Sequence, residues 1–189
     1  MFGWLTTPST PRCRHAPLTV LSRRVRHISP HLLIRKLPNL GSVLYLHSSS
    51  QQVITDTLPP GLLVTERAFA PLLDVRWLMA TSAVTEDGPR EWLEGMDHAG
   101  RPRARLHLLP DTDYLAWEAL MATHESPLPP PAAPNTPLLR PDRASVVNFR
   151  LREFAGLTML GGYSSIALSP LGSHVAAHIA HAESVSLYR

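Results

Sequence analysis

The stretch from Leu72 to Thr123, LLDVRWLMATSAVTEDGPREWLEGMDHAGRPRARLHLLPDTDYLAWEALMAT, carries the signals of a strand, a hairpin and a capped helix in unbroken succession. Leu73, Val75, Trp77, Met79 and Thr81 alternate with Leu72, Asp74, Arg76, Leu78 and Ala80, the period of two that a strand requires. Both sets are largely apolar, so this strand is expected in the middle of a sheet, with Arg76 between apolar neighbours. Arg90 to Met96 meets Arg103 to Leu109 across Asp97, His98, Ala99 and Gly100. Asp starts a turn and Gly takes the left-handed position, so the two runs predict an antiparallel hairpin. Pro110 ends the last strand, Asp111 or Thr112 caps a helix, and Tyr114, Trp117 and Met121 recur on the face expected to pack on the sheet.

A chain of 189 residues is long enough for one domain with a core that needs no covalent staple. Its single cysteine, Cys13, excludes an internal disulfide and a cysteine-based zinc site. The apolar runs fall short of the roughly 20 residues of a membrane-spanning helix. These features predict a cytoplasmic protein with no membrane insertion.

Charge is uneven along the chain. No acid precedes Asp56, while Arg12, Arg14, Arg23, Arg24, Arg26, Arg35 and Lys36 make that segment strongly basic, against an overall formal charge of +3. Residues 1–30 read as a basic, disordered leader by composition; a transit peptide or an anion-binding arm are the other readings. Without interleaved aromatics or a recognisable module, the arginines are a weak signal for nucleic acid.

The body is expected from residue 31 to 125. Asn39 to Gly41 suggests a turn, followed by a strand through Val43 and Tyr45, a polar turn at Ser48 to Ser50 and a strand through Val53. Residues 126–141 hold seven of the 19 prolines and read as an extended connector. Residues 142–189 are expected to complete the same domain with short strands at Ser145 to Leu151, Leu157 to Leu160 and Ser164 to Leu168, broken by Gly161 and Gly162, and a final helix. Ser169 before Pro170 marks the start of that helix.

His174, His178 and His181 recur at i, i+4 and i+7, hence on one face of the last helix. Two imidazoles four residues apart are able to hold one metal ion or face a porphyrin iron. The stripe reads more readily as an ordinary solvated helix face, since no Glu accompanies the pair as in the zinc-protease motif and the dipole at a helix carboxy terminus favours imidazolium without any ligand.

Four pieces in order resemble the bacterial haem-utilisation proteins, which comprise cytoplasmic haem carriers and haem-degrading proteins. LPNLGSV is similar to that family's opening strand, LLDVRW to its strand with an Asp-Leu-Arg core, WLEGMDHAGRPRARLHL to its hairpin and DTDYLAWEALMA to its helix, over about residues 37–123. The resemblance implies an α+β fold, a large antiparallel sheet with flanking helices, of which this chain holds one half-domain to be completed as a homodimer. It implies haem as cofactor and partner, with Arg76 reaching a propionate or a distal ligand through its fixed fork of donors. Pairing of Arg76 with Asp74 or Glu94 is the alternative. The iron ligand falls to His47 or His178, with His174 beside the latter; Trp77 and His107 are further candidates for the same cleft. The chain departs from the family pattern at Leu46-His47-Ser48 and at Ala104-Arg105.

Two functional classes follow. One is an intracellular haem carrier of iron acquisition, more a binding protein than an enzyme. The other is a regulatory or adaptor domain of the same fold that has lost haem. A hydrolase ranks behind both, because no nucleophile or base is arranged with Asp97, Asp111 and Asp113.

Overall fold

The computed structural model describes residues 19–48, 59–122, 139–164 and 168–188. The fold is α+β. Nine strands form one sheet in the order β1-β4-β5-β6-β2-β7-β8-β3, with β9 added beside β7. The strands are β1 (Thr19–His27), β2 (Ser42–His47), β3 (Leu62–Val64), β4 (Trp77–Thr85), β5 (Gly88–Met96), β6 (Pro102–His107), β7 (Arg143–Phe154), β8 (Leu157–Ser164) and β9 (Ser186–Tyr188). All pairings are antiparallel except β3 with β8 and β7 with β9. The helices are α1 (Pro30–Lys36), α2 (Tyr114–Met121) and α3 (Pro170–Ala182), with 3-10 turns at Leu37–Leu40 and Arg67–Asp74.

Alternation along β2 divides the sheet into two faces. Val43 and Tyr45 point into a core closed by Leu33 and Ile34 of α1, Phe69 and Leu72 of the second 3-10 turn, and Trp117 and Leu120 of α2. Leu44 and Leu46 point the other way, onto Ala176, Ile179 and Ala180 of α3. Each such aliphatic or aromatic side chain contributes roughly 1.5–3 kcal/mol when fully buried. The sheet is therefore held from both sides at β2, its fifth strand.

The hairpin expected from Asp97 to Gly100 forms as β5–β6. Asp97 Oδ1 accepts from the amides of Ala99 and Arg101, which closes the turn. Its other oxygen accepts from Nε and Nη2 of Arg103 at 3.1 and 2.8 Å. The α2 helix forms too, but Asp113 is its cap, accepting from the Ala116 amide. Trp117, Leu120 and Met121 are its buried side, while Tyr114 is exposed. Asp111 instead binds the start of α3, its carboxylate accepting from the amide and hydroxyl of Ser169 at 2.9 Å each. Ser169 in turn caps α3 through the Gly172 amide, as its place before Pro170 predicted.

Four further expectations are corrected. Leu72 to Asp74 lie in a 3-10 turn and the strand begins at Trp77, because Pro71 sits inside the turn and the apolar residues serve as its buried side. Thr19–His27, read as part of a disordered leader, is the edge strand beside β4, paired from Thr19 opposite Val84 to His27 opposite Trp77 with a register shift between Val20 and Ser22. Its polar, basic composition suits an edge, where charge discourages pairing with another chain. Gly161 and Gly162 do not break the chain but continue β8, since a Cβ there would lie 2.8 Å from Thr65 Oγ1 and 2.6 Å from Phe69 respectively. The segment taken to strands at Ser145 to Leu151 extends as β7 to Phe154. The strand through Val53 and the proline-rich connector, except for its last residues, lie outside the described residues. Among the described residues no helix is long and apolar enough to cross a membrane.

Candidate functional site

Arg76 is the last residue before β4. Its Nη1 donates to the carbonyls of Leu73 at 3.1 Å and Val75 at 3.0 Å, clipping the end of the 3-10 turn to the start of the strand. Among the described residues neither acid proposed as its partner forms an ion pair with it, although Arg76 is close enough to Asp74 to favour its ionised form. Asp74 lies 3.3 Å from Arg103, and Glu94 lies 3.0 Å from Arg105.

His47 ends β2 on the face of Tyr45. It is buried and its ring stacks on Tyr45 with centroids 5.2 Å apart. Burial lowers its pKa, opposed by Asp142 and reinforced by Arg143. Tyr45 is itself fixed, its hydroxyl donating to the Ala68 carbonyl at 2.8 Å. His47 is thus a packed side chain on the face opposite to α3.

His174 and His178 stand together on the solvent side of α3, ring centroids 4.2 Å apart. Nδ1 of His178 is 3.6 Å from Oδ1 of Asp87, both side chains being 46% exposed. Asp87 occupies the β4–β5 turn, whose backbone is drawn in by Thr85 Oγ1 donating to the Gly88 carbonyl at 3.0 Å. Its second oxygen binds Arg90 Nη2. At the carboxy-terminal cap of α3, Arg105 of β6 joins Glu183 at 2.6 Å, and it also pairs with Glu94 at 3.0 Å. Two links, the Arg105–Glu183 ion pair and the His178–Asp87 contact, therefore tie α3 to β6 and to the β4–β5 turn. His181 lies beyond this pair, and no partner of it is part of the arrangement.

Between the links lies Trp92 of β5, with Arg105 Cζ 5.9 Å from its ring centroid. His107 of β6 is opposite both Trp92 and Leu44 in register, on the α3 face of the sheet. Its ring centroid is 5.8 Å from that of Trp92, and among the described residues neither ring nitrogen has a hydrogen-bond partner. Burial, with Arg105 and Arg90 nearby, depresses its pKa well below the usual histidine value. An unpartnered buried imidazole is held neutral at a cost, roughly 1–3 kcal/mol for a lost hydrogen bond. Trp77 is far from it along β4, packed edge-to-face on His27 with centroids 5.0 Å apart.

The residues singled out from the sequence thus fall in three places. Arg76 and Asp87 sit beyond opposite ends of β4, whose nine residues span about 26 Å from first to last Cα at roughly 3.3 Å per step. One haem cannot touch both Arg76 and His178. His47 is separated from the α3 histidines by the sheet itself. Among the described residues no cluster of three or more His, Cys, Asp or Glu is set to hold a metal ion. Two cavities near the β8 end, of about 250 and 170 Å³, are lined by none of Arg76, His47, His174 or His178. Both are below the roughly 300–1,000 Å³ common for cofactor pockets.

Asp87, Arg90, Trp92 and Arg105 did not emerge from the sequence as a group. Asp87-Gly88 is a hairpin signal by its residue types, but its closeness to His178 comes only from the docking of α3.

No family model and no curated protein matches the chain. Among solved structures, the chain is similar to the heme degrading enzyme ChuS of Escherichia coli O157:H7, with 16% identity and a TM-score of 0.43, over 60% of this chain and 38% of that one. It is also similar to PhuS, a heme-binding protein from Pseudomonas aeruginosa, with 18% identity and a TM-score of 0.39, over 60% and 38% of the two chains. The chain matches well under half the length of either protein.

Proposed function

We propose that the chain is a haem-binding protein, a cytoplasmic carrier of iron acquisition rather than an enzyme, and that His178 on α3 is its iron ligand. The supporting observation is the Asp87–His178 pair. A ligating histidine commonly offers its second ring nitrogen to a carboxylate, which fixes the tautomer and raises the basicity of the ligand. With Asp87 facing Nδ1, Nε2 is the nitrogen left for iron. The separation of 3.6 Å closes to hydrogen-bond length by a small rotation of two exposed side chains.

The surroundings suit a porphyrin on that flank of α3. Trp92 offers an aromatic surface beside Arg105, while Arg90 and Arg105 are themselves paired with Asp87, Glu94 and Glu183. His174, one turn before His178, screens the same side. Bound haem supplies ligand exchange at its own iron, while the chain's residues hold and orient it. The four pieces that resemble the haem-utilisation proteins lend further support: LPNLGSV runs from a 3-10 turn into β2, LLDVRW leads from a 3-10 turn into β4, and the other two form the β5–β6 hairpin and α2. In this reading a second copy of the chain completes the protein as a homodimer.

Titration of the purified protein with haemin under reducing conditions, with apomyoglobin as competitor, tests the reading. A saturable one-to-one Soret change is expected, and complete passage of haemin to the competitor would count against it.

A second reading, an adaptor of the same fold without haem, is favoured by one observation. The Arg76 guanidinium is turned onto two backbone carbonyls and lies a strand's length from the α3 histidines. An adaptor would give no Soret band.

A further inference from the structure

The geometry points to a small-oxyanion site, for a phosphate or carboxylate group, at Arg150, Arg152 and Thr65 on the far half of the sheet. Arg150 and Arg152 are two residues apart on β7, so their side chains leave the same face of the strand. With Thr65, Gly161 and Gly162 they line a cavity of about 170 Å³, room for one such group but not for a large cofactor. Among the described residues no acid lines it. This site is separate from the α3 flank and does not depend on the haem reading.

Three features make the cavity more than a pair of surface arginines. Arg150 is held in place, its Cζ 3.9 Å from the centroid of the Tyr163 ring on β8. Stacking on an aromatic face leaves the edge of the guanidinium, where its N–H donors lie, free to fork onto two oxygens. Thr65 directly follows β3, and its amide donates to the Leu160 carbonyl at 2.8 Å, which fixes the hydroxyl beside β8. Finally, the space exists because residue 161 has no side chain. A Cβ there would lie 2.8 Å from Thr65 Oγ1, so any larger residue would fill the floor of the cavity and push the hydroxyl away.

Neither arginine forms an ion pair with a carboxylate of the described residues. Arg24, Arg90, Arg103 and Arg105, by contrast, each have one. Two cations at neighbouring positions with a hydroxyl between the strands match an anion that accepts several charge-assisted hydrogen bonds at once. Phosphate esters and carboxylates share this chemistry, and free ligands and side chains of a partner both carry it.

The test uses the full chain at low chloride, with inorganic phosphate and succinate titrated separately. Arginine Nε–H and backbone amide resonances are followed by NMR, comparing wild type with the Arg150→Gln/Arg152→Gln double variant and with Thr65→Val. Saturable shifts centred on Arg150, Arg152, Gly161 and Gly162 are expected. The double variant should weaken binding by at least ten-fold and Thr65→Val by a few-fold, with the remaining amide spectrum unchanged. Tighter binding of phosphate than succinate would assign phosphate esters as the source, and the reverse order carboxylates. Linear shifts with both anions, or saturable shifts that persist in the double variant, would overturn the proposal.

Discussion

Oδ1 of Asp87, on the turn between β4 and β5, faces Nδ1 of His178, in the last helix, at 3.6 Å. The two residues belong to segments that resemble nothing in common in the sequence, yet the pair combines an exposed imidazole with a carboxylate behind it. Replacing a carboxylate that orients a metal-binding histidine typically costs about 10- to 100-fold in affinity. Asp87→Asn is expected to weaken haem binding by about that factor without abolishing it, measured by competition with apomyoglobin. An unchanged affinity would remove Asp87 from the site.

The carboxylate of Asp97 takes part in four hydrogen bonds, two closing the β5–β6 turn and two from buried Arg103. Asp97→Ala leaves Arg103 with Asp74 alone, at 3.3 Å. Breaking a buried pair in this way costs about 3–5 kcal/mol. Asp74 responds in the opposite sense. Its burial, only partly offset by Arg103, raises its pKa above the ordinary 3.8. Between that value and the raised one the folded state binds the proton more readily, so its contribution to stability falls as pH rises. Asp74→Asn is therefore expected to cost clearly less than Asp97→Ala in urea unfolding at pH 7. Equal losses would contradict this division of roles.

His107 makes stability pH-dependent. Burial depresses its folded pKa well below 6.5, Arg105 and Arg90 adding to the effect. The unfolded chain then takes up the proton first. Full stability is present above the unfolded value and is progressively lost as pH falls below about 6.5 toward the folded pKa. His47, depressed in the same direction by its burial, adds to the slope. His107→Leu removes two unpartnered nitrogens along with the titration. Its midpoint of urea unfolding should change less between pH 7 and 5 than that of wild type; an identical slope would refute the assignment.

Gly162 lies where β8 passes beneath Phe69. A Cβ would stand 2.6 Å from Phe69 and 2.8 Å from Val147, both inside the core. Phe69 is also braced by Phe149, with ring centroids 5.3 Å apart, so the clash cannot be relieved by one rotation. Gly162→Ala is expected to destabilise by about 1–3 kcal/mol, the usual cost of overpacking. Gly156→Ala, at a left-handed turn with open space around it, should cost less and through the backbone alone. Thermal melts of the two variants distinguish the causes.

Local signals were legible where the chain's own chemistry closes a structure. The Asp97 turn, the Trp117 face of α2 and the Ser169-Pro170 start of α3 needed only neighbours a few residues away. The same Ser-Pro signal stands at Ser29-Pro30, where Ser29 caps α1 by accepting from the Leu32 amide. What the sequence hid was set at long range. β1 carries arginines at Arg23 and Arg24, and reads as leader until β4 is beside it; Arg24 then reaches Glu118 of α2 at 3.0 Å. Gly161 and Gly162 look like a break because glycine usually is one, whereas here Thr65 and Phe69 demand the missing side chains. The candidate site suffered most. Periodicity identified the histidine stripe, but which imidazole meets a carboxylate depends on how α3 docks over β2 and β7.

The most direct test of haem ligation is a Soret titration of wild type, His178→Ala and His47→Ala under identical reducing conditions. Ligation through α3 predicts that His178→Ala loses the saturable band while His47→Ala, a change behind the sheet, keeps it. A band that survives His178→Ala, or disappears only with His47→Ala, would contradict it.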